Sequence, residues 1–295
     1  MDDFHPVKAA TVRYRYRRHP WPIRVMHWIN VLAVSILLMS GLQIFNADPM
    51  LNWGKSSYNG RPPLLQLDAE QAPDGKLMGT TELFGKSYHT TGFLGASKEG
   101  GGELTERGFP SWLTIPSTQD LAMGRRWHFS FAWLFVLNGI AYVIYSVWTR
   151  HLPRDLVPTH RDWRSIGRSF LDHLRFKHPR GEDAKHYNVL QKLAYLALIF
   201  GVLPLLILMG LAMSPRLDSA WAGWVDVVGG RQSARTLHFL GATLMVVFVL
   251  IHVFEVLISG LWNNLRSMIS GSYEIDSPAS APATTPLAVN GDSLS

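Results

Sequence analysis

Four long runs without a charged residue, 25–47, 127–149, 193–214 and 236–254, are the strongest constraint on how this chain folds. Each run has 19 to 23 residues, about the length that an α-helix needs to cross a ~30 Å hydrocarbon core. In a bilayer every backbone polar group needs an internal partner, which a helix supplies. The first run has no small-residue cleavage site after it and so predicts a retained helix. The sequence therefore predicts an all-α integral membrane protein, a bundle of four transmembrane helices.

The distribution of basic residues predicts the orientation of these helices. Segment 1–26 has six Lys and Arg against two acids, and segment 150–188 has nine against five. Segment 47–126 has eight against nine over a greater length. Because Lys and Arg are enriched on the cytoplasmic side, both termini and segment 150–188 are predicted to be cytoplasmic. Segment 47–126 is then a long extracytoplasmic loop. The basic residues flank the spans, which argues against nucleic-acid binding.

Three further segments flank or join the predicted helices. The arm 1–22 is basic and aromatic and suits an interfacial anchor, whereas the tail 273–295 is rich in Ser, Ala, Pro and Thr and is predicted to be disordered. The part between them, 23–272, is the predicted membrane domain. Segment 150–188 is expected to contain an amphipathic surface helix, because apolar residues recur in it at helical spacing. These residues are Trp163, Ile166, Phe170 and Leu174.

The outer loop 47–126 is long for a simple connection, and ordered loops of this length are usually functional. Two interpretations stay open for it. The loop is either a partly ordered cover over the helix ends or a docking surface for an extracytoplasmic partner. Its aromatic residues are Trp53, Tyr58, Phe84, Tyr88, Phe93, Phe109 and Trp112.

Four of the 12 histidines lie inside the predicted spans: His27, His128, His238 and His252. On the fourth helix, a spacing of fourteen residues returns to within about 40° of the same face and rises about 21 Å. The predicted orientation pairs His128 with His238 on the outer side and His27 with His252 on the inner side. Two imidazole pairs at two depths match the needs of two b-type haems, because each iron takes two axial ligands. The chain has no cysteine, which excludes thiolate ligation and covalent haem attachment.

Arginines precede three of these histidines by three residues: Arg24, Arg125 and Arg235. Haem propionates are carboxylates that favour the membrane interface, and an arginine one turn nearer water can neutralise them. Small residues in the same spans could let a flat ring approach the backbone. They are Gly41, Gly139 and Gly241.

The motifs RVMHW, RRWHF and RTLHFLGATLMVVFVLIHVFE resemble the bacterial cytochrome b561 and nickel–iron hydrogenase cytochrome b family. Within it, PSWLTIPSTQDLAMGRRWHF is most similar to the thiosulfate-reductase-type cytochrome b subunits. The resemblance covers roughly residues 20–270. It implies a four-helix cytochrome of the bacterial plasma membrane that carries two haems b. It places the axial ligands at the same four histidines.

Subunits of this family pass electrons between membrane quinone and a redox partner outside the membrane. The resemblance thus implies an electron-transfer subunit of an oxidoreductase complex, with quinone as an exchangeable substrate. The outer loop is longer than in the hydrogenase-type members, which favours a molybdopterin oxidoreductase as partner. Glu255, three residues after His252, is the candidate for proton transfer at the quinone. A structural salt bridge from Glu255 to Arg24 or Arg266 is the alternative.

Two other functions remain open. One is a stand-alone membrane oxidoreductase that reacts with superoxide or another small oxidant at the outer haem. The other is a transporter or membrane anchor without a redox role. Transport of a metal through the four histidines is a weak alternative. Such pathways generally use intramembrane carboxylates, and the spans have none before Glu255.

Overall fold

The computed structural model describes residues 11–278 except 58, 59, 74, 101, 151, 176–187 and 222. Four helical segments in this part of the chain are long and apolar enough to cross a membrane: Trp21–Phe45, Leu121–Trp148, Val189–Ala212 and Arg231–Ile258. Each begins four to six residues before the uncharged run that predicted it. The prediction of a mostly helical protein with four spans is therefore confirmed. The side of the membrane on which the termini lie stays a prediction.

The helices are numbered in chain order through the described residues. They are α1 Trp21–Phe45, α2 Leu121–Trp148, α3 His160–Arg164, α4 Ile166–Leu174, α5 Val189–Ala197, α6 Leu203–Ala212, α7 Pro215–Ala220, α8 Arg231–Ile258 and α9 Leu261–Ile269. The third span consists of α5 and α6 joined by a π-helical turn, Leu198–Val202. Pro204 lies two residues after the end of this turn, and in a regular helix its ring clashes with the carbonyl four residues earlier. The wider π-helical turn accommodates Pro204 within the span.

The spans pack as two pairs, α1 along α2 and α6 along α8. Asn138 of α2 donates to the Met26 carbonyl (2.9 Å) and to the Asn30 side-chain oxygen (2.7 Å), which links α1 and α2 within the membrane. Near the other end of this pair, a Cβ on Gly124 would lie only 2.9 Å from Cγ of Gln43. Glycine at this position therefore allows the close approach of α2 to α1.

Many large apolar side chains on the spans are exposed, among them Leu137, Ile140 and Leu250. Contiguous apolar surface of this kind is rare on soluble monomers. In a bilayer the same surface contacts lipid tails and needs no other partner. The chain is therefore a multi-pass membrane protein.

The outer loop contains most of the β-structure, which corrects the all-α prediction. The strands are β1 Thr11–Arg17, β2 Met50–Leu51, β3 Leu65–Gln71, β4 Leu77–Leu83, β5 Lys86–His89, β6 Ala96–Lys98, β7 Leu104–Glu106 and β8 Ser272–Pro278. Strands β2 to β5 form an antiparallel sheet in chain order, and β6 pairs with β7. A Cβ on Gly95 would lie 2.1 Å from the Asp68 carbonyl, and its φ is +77°, so only glycine fits there. The strands are short and bury few apolar residues, so the sequence has no period-2 pattern that predicts them.

The outer loop is fixed to the spans through Phe45 at the end of α1. Phe45, Leu51 and Leu67 form a buried cluster, and the Phe45 ring lies 5.0 Å from the ring of Phe239 on α8. Asn46 binds a later part of the loop. Its side chain accepts from the Phe109 N–H (2.7 Å) and donates to the Phe109 carbonyl (3.2 Å). The loop thus packs against this end of the bundle, which we call the loop end, and its role as cover or docking surface stays a prediction.

The outer loop also caps the first turn of α8. The residue before this helix is Gly230, which has no side chain to cap the free N–H groups. The Gly54 carbonyl instead accepts from the N–H groups of Gln232 (3.1 Å) and Ser233 (3.2 Å). Ser233 Oγ in turn accepts from the Gly54 N–H at 2.9 Å. The position of α8 is therefore coupled to the fold of the loop.

At the opposite end, β1 and β8 form an antiparallel ribbon that joins the two termini of the described chain. The first residues of the tail, 273–278, were predicted to be disordered, and this is wrong because they belong to β8. Residues 1–10 and 279–295 lie outside the described residues. Glu274 pairs with Arg15 and Arg266. Although desolvation acts against them, these arginines hold the pKa of Glu274 below its usual range. We call this the ribbon end.

Segment 150–188 contains the predicted amphipathic helix as two short pieces, α3 and α4. Thr159 and Asp162 form a capping box at the start of α3. Asp162 also accepts from Lys192 at 2.9 Å, which attaches this segment to the third span. The remainder of the segment, 176–187, lies outside the described residues.

Candidate functional site

The structure brings two of the predicted histidines together at the loop end. The rings of His128 on α2 and His238 on α8 have centroids 6.2 Å apart and planes inclined at 66°. Both side chains are half-buried. One imidazole comes from the α1–α2 pair and the other from the pair that contains α8. The two histidines thus face each other across the contact between the two halves of the bundle.

The other two intramembrane histidines meet in the same way at the ribbon end. The rings of His27 on α1 and His252 on α8 have centroids 6.3 Å apart and planes inclined at 68°. These rings are also half-buried. The same two halves of the bundle supply the two imidazoles. The pairs expected from depth are therefore the pairs that the fold brings together, and their role as ligands stays a prediction.

Both separations fit one metal ion held between two imidazoles. A metal–imidazole bond is about 2.0–2.1 Å and a ring nitrogen lies roughly 1.2 Å from its ring centroid, so imidazoles on opposite sides of one metal have centroids about 6.4 Å apart. The measured separations are 6.2 and 6.3 Å. Directly packed aromatic rings also occur at such distances, so the state of the ring nitrogens is needed as a second criterion.

Hydrogen bonds at the loop end leave Nε2 of both histidines available to bind a metal. Nδ1 of His238 lies 2.9 Å from the Leu206 carbonyl, which can only accept, so Nδ1 carries the proton. Nδ1 of His128 lies 3.1 Å from Ser40 Oγ. That hydroxyl donates to the Ile36 carbonyl at 2.6 Å, so it accepts from Nδ1. In both rings the lone pair is therefore on Nε2, and the Nδ1–H bond orients the ligand as in metal-bound histidines.

Aromatic rings surround the pair at the ribbon end. The ring of Phe248 lies parallel to that of His252, with an angle of 5° and centroids 6.0 Å apart. The ring of Trp28 meets His27 edge-on at 5.4 Å. Trp28 is itself held by a hydrogen bond from its indole N–H to the Met268 carbonyl (3.1 Å). Packing against these rings orients the two imidazoles here.

The donor set fits a metal held in a macrocycle better than a protein-only metal site. A structural zinc site needs four protein ligands and a catalytic one usually three. Among the described residues, no group of three or more His, Cys, Asp or Glu side chains could hold a metal ion. Each histidine pair offers two axial ligands only. A porphyrin supplies the remaining four, so the residues present fit haem.

The intramembrane glycines differ in what they face. A Cβ on Gly41 would lie 3.4 Å from Cε1 of His128, and one on Gly210 would lie 3.4 Å from Cε1 of His238. These glycines therefore make room for the imidazoles. Gly241 packs against Leu206, whereas a Cβ on Gly139 would meet nothing within 4 Å. Of the three glycines predicted to admit a flat ring, Gly139 is the one that faces open space.

The three predicted propionate arginines lie at the helix ends, but two of them have protein partners. Arg235 forms an ion pair with Asp48 and also donates to its carbonyl. Arg24 donates to the Ile269 carbonyl. Arg125 is exposed and lies over the ring of Phe129 at 5.5 Å. Their contacts with haem propionates remain predictions.

Glu255 is half-buried on α8, about one turn beyond His252. The two arginines considered as its partners bond elsewhere, Arg24 to the Ile269 carbonyl and Arg266 to Glu274. The salt bridge to Arg24 or Arg266 stays an alternative. The role of Glu255 in proton transfer stays a prediction.

Sequence reasoning missed the residues that orient the imidazoles: Ser40, Leu206, Gly210 and Phe248. None of them is unusual in a membrane helix. A weak signal exists for Phe248, which is four residues before His252 and so lies on the same helical face. The other three act across helices, and their contacts depend on how the spans rotate against one another.

Comparison with known proteins agrees with this geometry. The sequence profile described as prokaryotic cytochrome b561 matches residues 18–271. A protein of Azospira oryzae, named as a putative protein-methionine-sulfoxide reductase subunit YedZ1, is 26% identical over 238 residues, which are 81% of this chain and 89% of that protein. A protein of Cupriavidus necator, named as a probable Ni/Fe-hydrogenase B-type cytochrome subunit, is 28% identical over 278 residues, 90% of this chain and 88% of that protein.

Proposed function

Because the chain belongs to the prokaryotic cytochrome b561 family, whose members are membrane haem proteins of electron transport, we propose that it is a di-haem cytochrome b subunit. Its function is to transfer electrons between the quinone pool and an extracytoplasmic oxidoreductase. The observation that carries the proposal is the pair of bis-imidazole arrangements, with centroid separations of 6.2 and 6.3 Å at the two ends of α8. Two stacked redox centres provide a route across the membrane.

In this proposal each residue of the site has a defined task. His128 and His238 hold one haem b at the loop end, and His27 and His252 hold the other at the ribbon end. Haem iron, when bound, supplies one-electron exchange. The Ser40 hydroxyl keeps Nε2 of His128 unprotonated, and the span surfaces exclude water from the pairs. Arg24, Arg125 and Arg235 stand near the membrane edges where propionates would lie.

The quinone reaction is proposed at the ribbon end. Quinone chemistry moves protons together with electrons, so a site for it needs a titratable group near the membrane edge. Glu255 is the carboxyl that lies about one turn from His252 on the same helix. It would take up and release the proton there.

The electron partner is proposed at the loop end. The outer loop is an ordered unit on the spans, and it displays exposed aromatic rings of a kind that frequently anchor interfaces. Two of them, Phe93 and Trp112, contact each other at 6.1 Å. The relatives are named as subunits of a methionine-sulfoxide reductase and of a hydrogenase. An enzyme partner is therefore proposed for this chain also, and we favour a molybdopterin oxidoreductase because of the long loop.

An absorption spectrum of the purified protein together with its haem-to-protein ratio tests the proposal most directly. We expect low-spin b-type bands and about two haems per chain, one for each histidine pair. A protein that folds without haem would favour the transporter or anchor. A ratio of one would leave a single redox centre and contradict the transmembrane route.

A second experiment tests the partner. Deletion of residues 58–108 would remove strands β3 to β7 with the buried Leu67, so loss of binding could reflect a collapsed loop. The substitution Trp112→Ser changes an exposed ring instead, and Trp262→Ser, an exposed tryptophan at the ribbon end, is its matched control. We expect Trp112→Ser to weaken copurification of an extracytoplasmic enzyme at least tenfold. A protein that oxidises or reduces a small substrate without a partner would instead be a stand-alone oxidoreductase.

A further inference from the structure

A cleft on the outside of the bundle at the ribbon end lies beside the His27–His252 pair and shares Arg24 and Trp28 with its surroundings. It has a volume of ≈ 540 Å³ and lies between the first three turns of α1 and the end of α9. Its walls are almost entirely apolar, with one basic side chain at the mouth. The residues that line it are Trp21, Arg24, Val25, Trp28, Ile29, Leu32, Met268 and Ile269.

The cleft uses a different face of α1 from the one that carries His27. At about 100° per residue, the direction of His27 is roughly 100–160° from those of the apolar lining residues. Arg24 is nearer, about 60° away, and marks the edge of the cleft that faces the bundle. Val25 and Leu32 are about half exposed, at 48% and 54%. This wall of the cleft therefore faces the lipid surroundings of the protein.

The length of the cleft corresponds to one leaflet of a bilayer. Eleven residues separate Trp21 from Leu32, and at about 1.5 Å per residue this is roughly 16 Å. Half of a ~30 Å hydrocarbon core is about 15 Å. Trp21 and Trp28 lie in the part of the cleft near the membrane–water interface, where tryptophan is enriched. An acyl chain along Val25, Ile29 and Leu32 would end near the bilayer centre.

The mouth of the cleft is positively charged. Arg24 lines it. The Arg24 side chain also lies close to Gly271, next to the ribbon, because a Cβ on Gly271 would be 3.4 Å from Cζ of Arg24 and 2.9 Å from the His19 carbonyl. On the ribbon, Arg15 and Arg17 are exposed. Glu274 is the acid beside them, and it pairs with both Arg15 and Arg266. Arg24 is the charged residue among those that line the cleft, so the mouth is basic and suits an anion.

We propose that this cleft binds one anionic phospholipid. Its phosphate lies beside Arg24 at the mouth, and one acyl chain lies along α1 beside the two tryptophans. A neutral quinone head group would make no use of this charge, and a second copy of the chain would bring the same arginines and repel it. The bound lipid fills the gap between α1 and α9. It thereby attaches the ribbon to the spans at the end where His27 and His252 lie.

The test uses the full chain purified in detergent, with dioleoyl phosphatidylglycerol as the probe and dioleoyl phosphatidylcholine as the neutral comparison. Native mass spectrometry counts the lipids that stay bound, and thermal unfolding measures their effect. We expect one phosphatidylglycerol to be retained at least tenfold more tightly than phosphatidylcholine, with a raised Tm. Equal retention of the two lipids would overturn the proposal.

Two variants with matched controls locate the lipid. Ile29→Trp fills the apolar groove without changing charge, and Ile140→Trp makes the same change at an exposed position of α2. Arg24→Gln removes the charge at the mouth, and Arg126→Gln removes an exposed charge at the loop end. We expect each cleft variant to lose the tight phosphatidylglycerol and each control to keep it. Haem content is measured in every variant, because Arg24 is also a predicted neighbour of a propionate.

Three results would overturn the proposal. One is an Ile29→Trp variant that retains phosphatidylglycerol like Ile140→Trp. Another is a quinone, instead of a phospholipid, extracted from the wild type and lost from Ile29→Trp. The third is a stable dimer that Ile29→Trp dissociates while lipid binding is unchanged.

Discussion

The two histidine pairs have nearly the same spacing but different surroundings. At the loop end, His128 and His238 donate from Nδ1 to Ser40 Oγ and to the Leu206 carbonyl. At the ribbon end, parallel stacking of Phe248 orients His252, and an edge-on contact with Trp28 orients His27. The separation of the rings is thus a common property of both sites, and so is an edge-on contact with the following aromatic residue, Phe129 for His128 and Trp28 for His27. The sites differ in the Nδ1 hydrogen bonds at the loop end and in the stacked Phe248 at the ribbon end.

This difference has chemical consequences, because hydrogen bonds and ring packing affect an imidazole in different ways. A hydrogen bond from Nδ1–H makes the ring a better donor to iron and favours the oxidised metal. Ring packing controls orientation and solvent access with little change in basicity. If both pairs hold haem, the loop-end haem is expected to have the lower midpoint potential of the two, other influences being equal. The comparison also predicts that substitutions at one end leave the other end unchanged.

The largest expected effect comes from removal of one ligand at each end. His238→Ala is expected to lose the loop-end haem and His252→Ala the ribbon-end haem, so each variant keeps about half of the wild-type haem, as one axial ligand of each pair is lost. The haem-to-protein ratio and low-temperature spectra measure this. A His238→Ala protein that retained two bis-imidazole haems would show that the pairs are assigned wrongly.

An intermediate effect is expected from Glu255→Gln, which changes the ribbon end only. The glutamine has nearly the same shape but cannot exchange a proton, and loss of a general acid–base group typically slows a reaction about 10²-fold or more. We expect both haems to be retained and the rate of haem reduction by quinol to fall, with an altered pH profile. Rates equal to wild type between about pH 6 and 8 would leave Glu255 with a structural role.

The smallest expected effect tests the hydrogen bond at the loop end. Ser40→Ala removes the acceptor of the His128 Nδ1–H bond. If the oxidised loop-end haem loses about 0.5–1 kcal/mol of stabilisation, its one-electron midpoint potential rises by about 20–40 mV. Ser35→Ala is the matched control, because Ser35 lies on the same helix and donates to the Val31 carbonyl of its own helix, at 2.8 Å. Redox titration should show one haem shifted in Ser40→Ala and neither in Ser35→Ala. A shift of the ribbon-end haem would contradict the separation of the two ends.

Much of the membrane domain was predictable from residue patterns. The four uncharged runs determine the number and location of the spans, since a helix is the available way to satisfy the backbone in lipid. The spacing of His238 and His252 on one helix, together with the entry direction of α1 and α2, determines which histidines share a depth. Both properties depend on helical geometry alone, so they follow from the order of the residues.

Only the tertiary structure decided the remaining features. The ribbon pairs residues far apart in the chain, for example Arg15 with Glu274 across 259 positions, and no local pattern encodes such a contact. The strands of the outer loop pack chiefly on Phe45 and Leu67, too small an apolar face to give a periodic signal. The hydrogen bonds that His128 donates to Ser40 and that His238 donates to the Leu206 carbonyl depend on the rotation of neighbouring helices. That rotation is set by packing between side chains on different spans, so it appears only when the whole bundle is assembled.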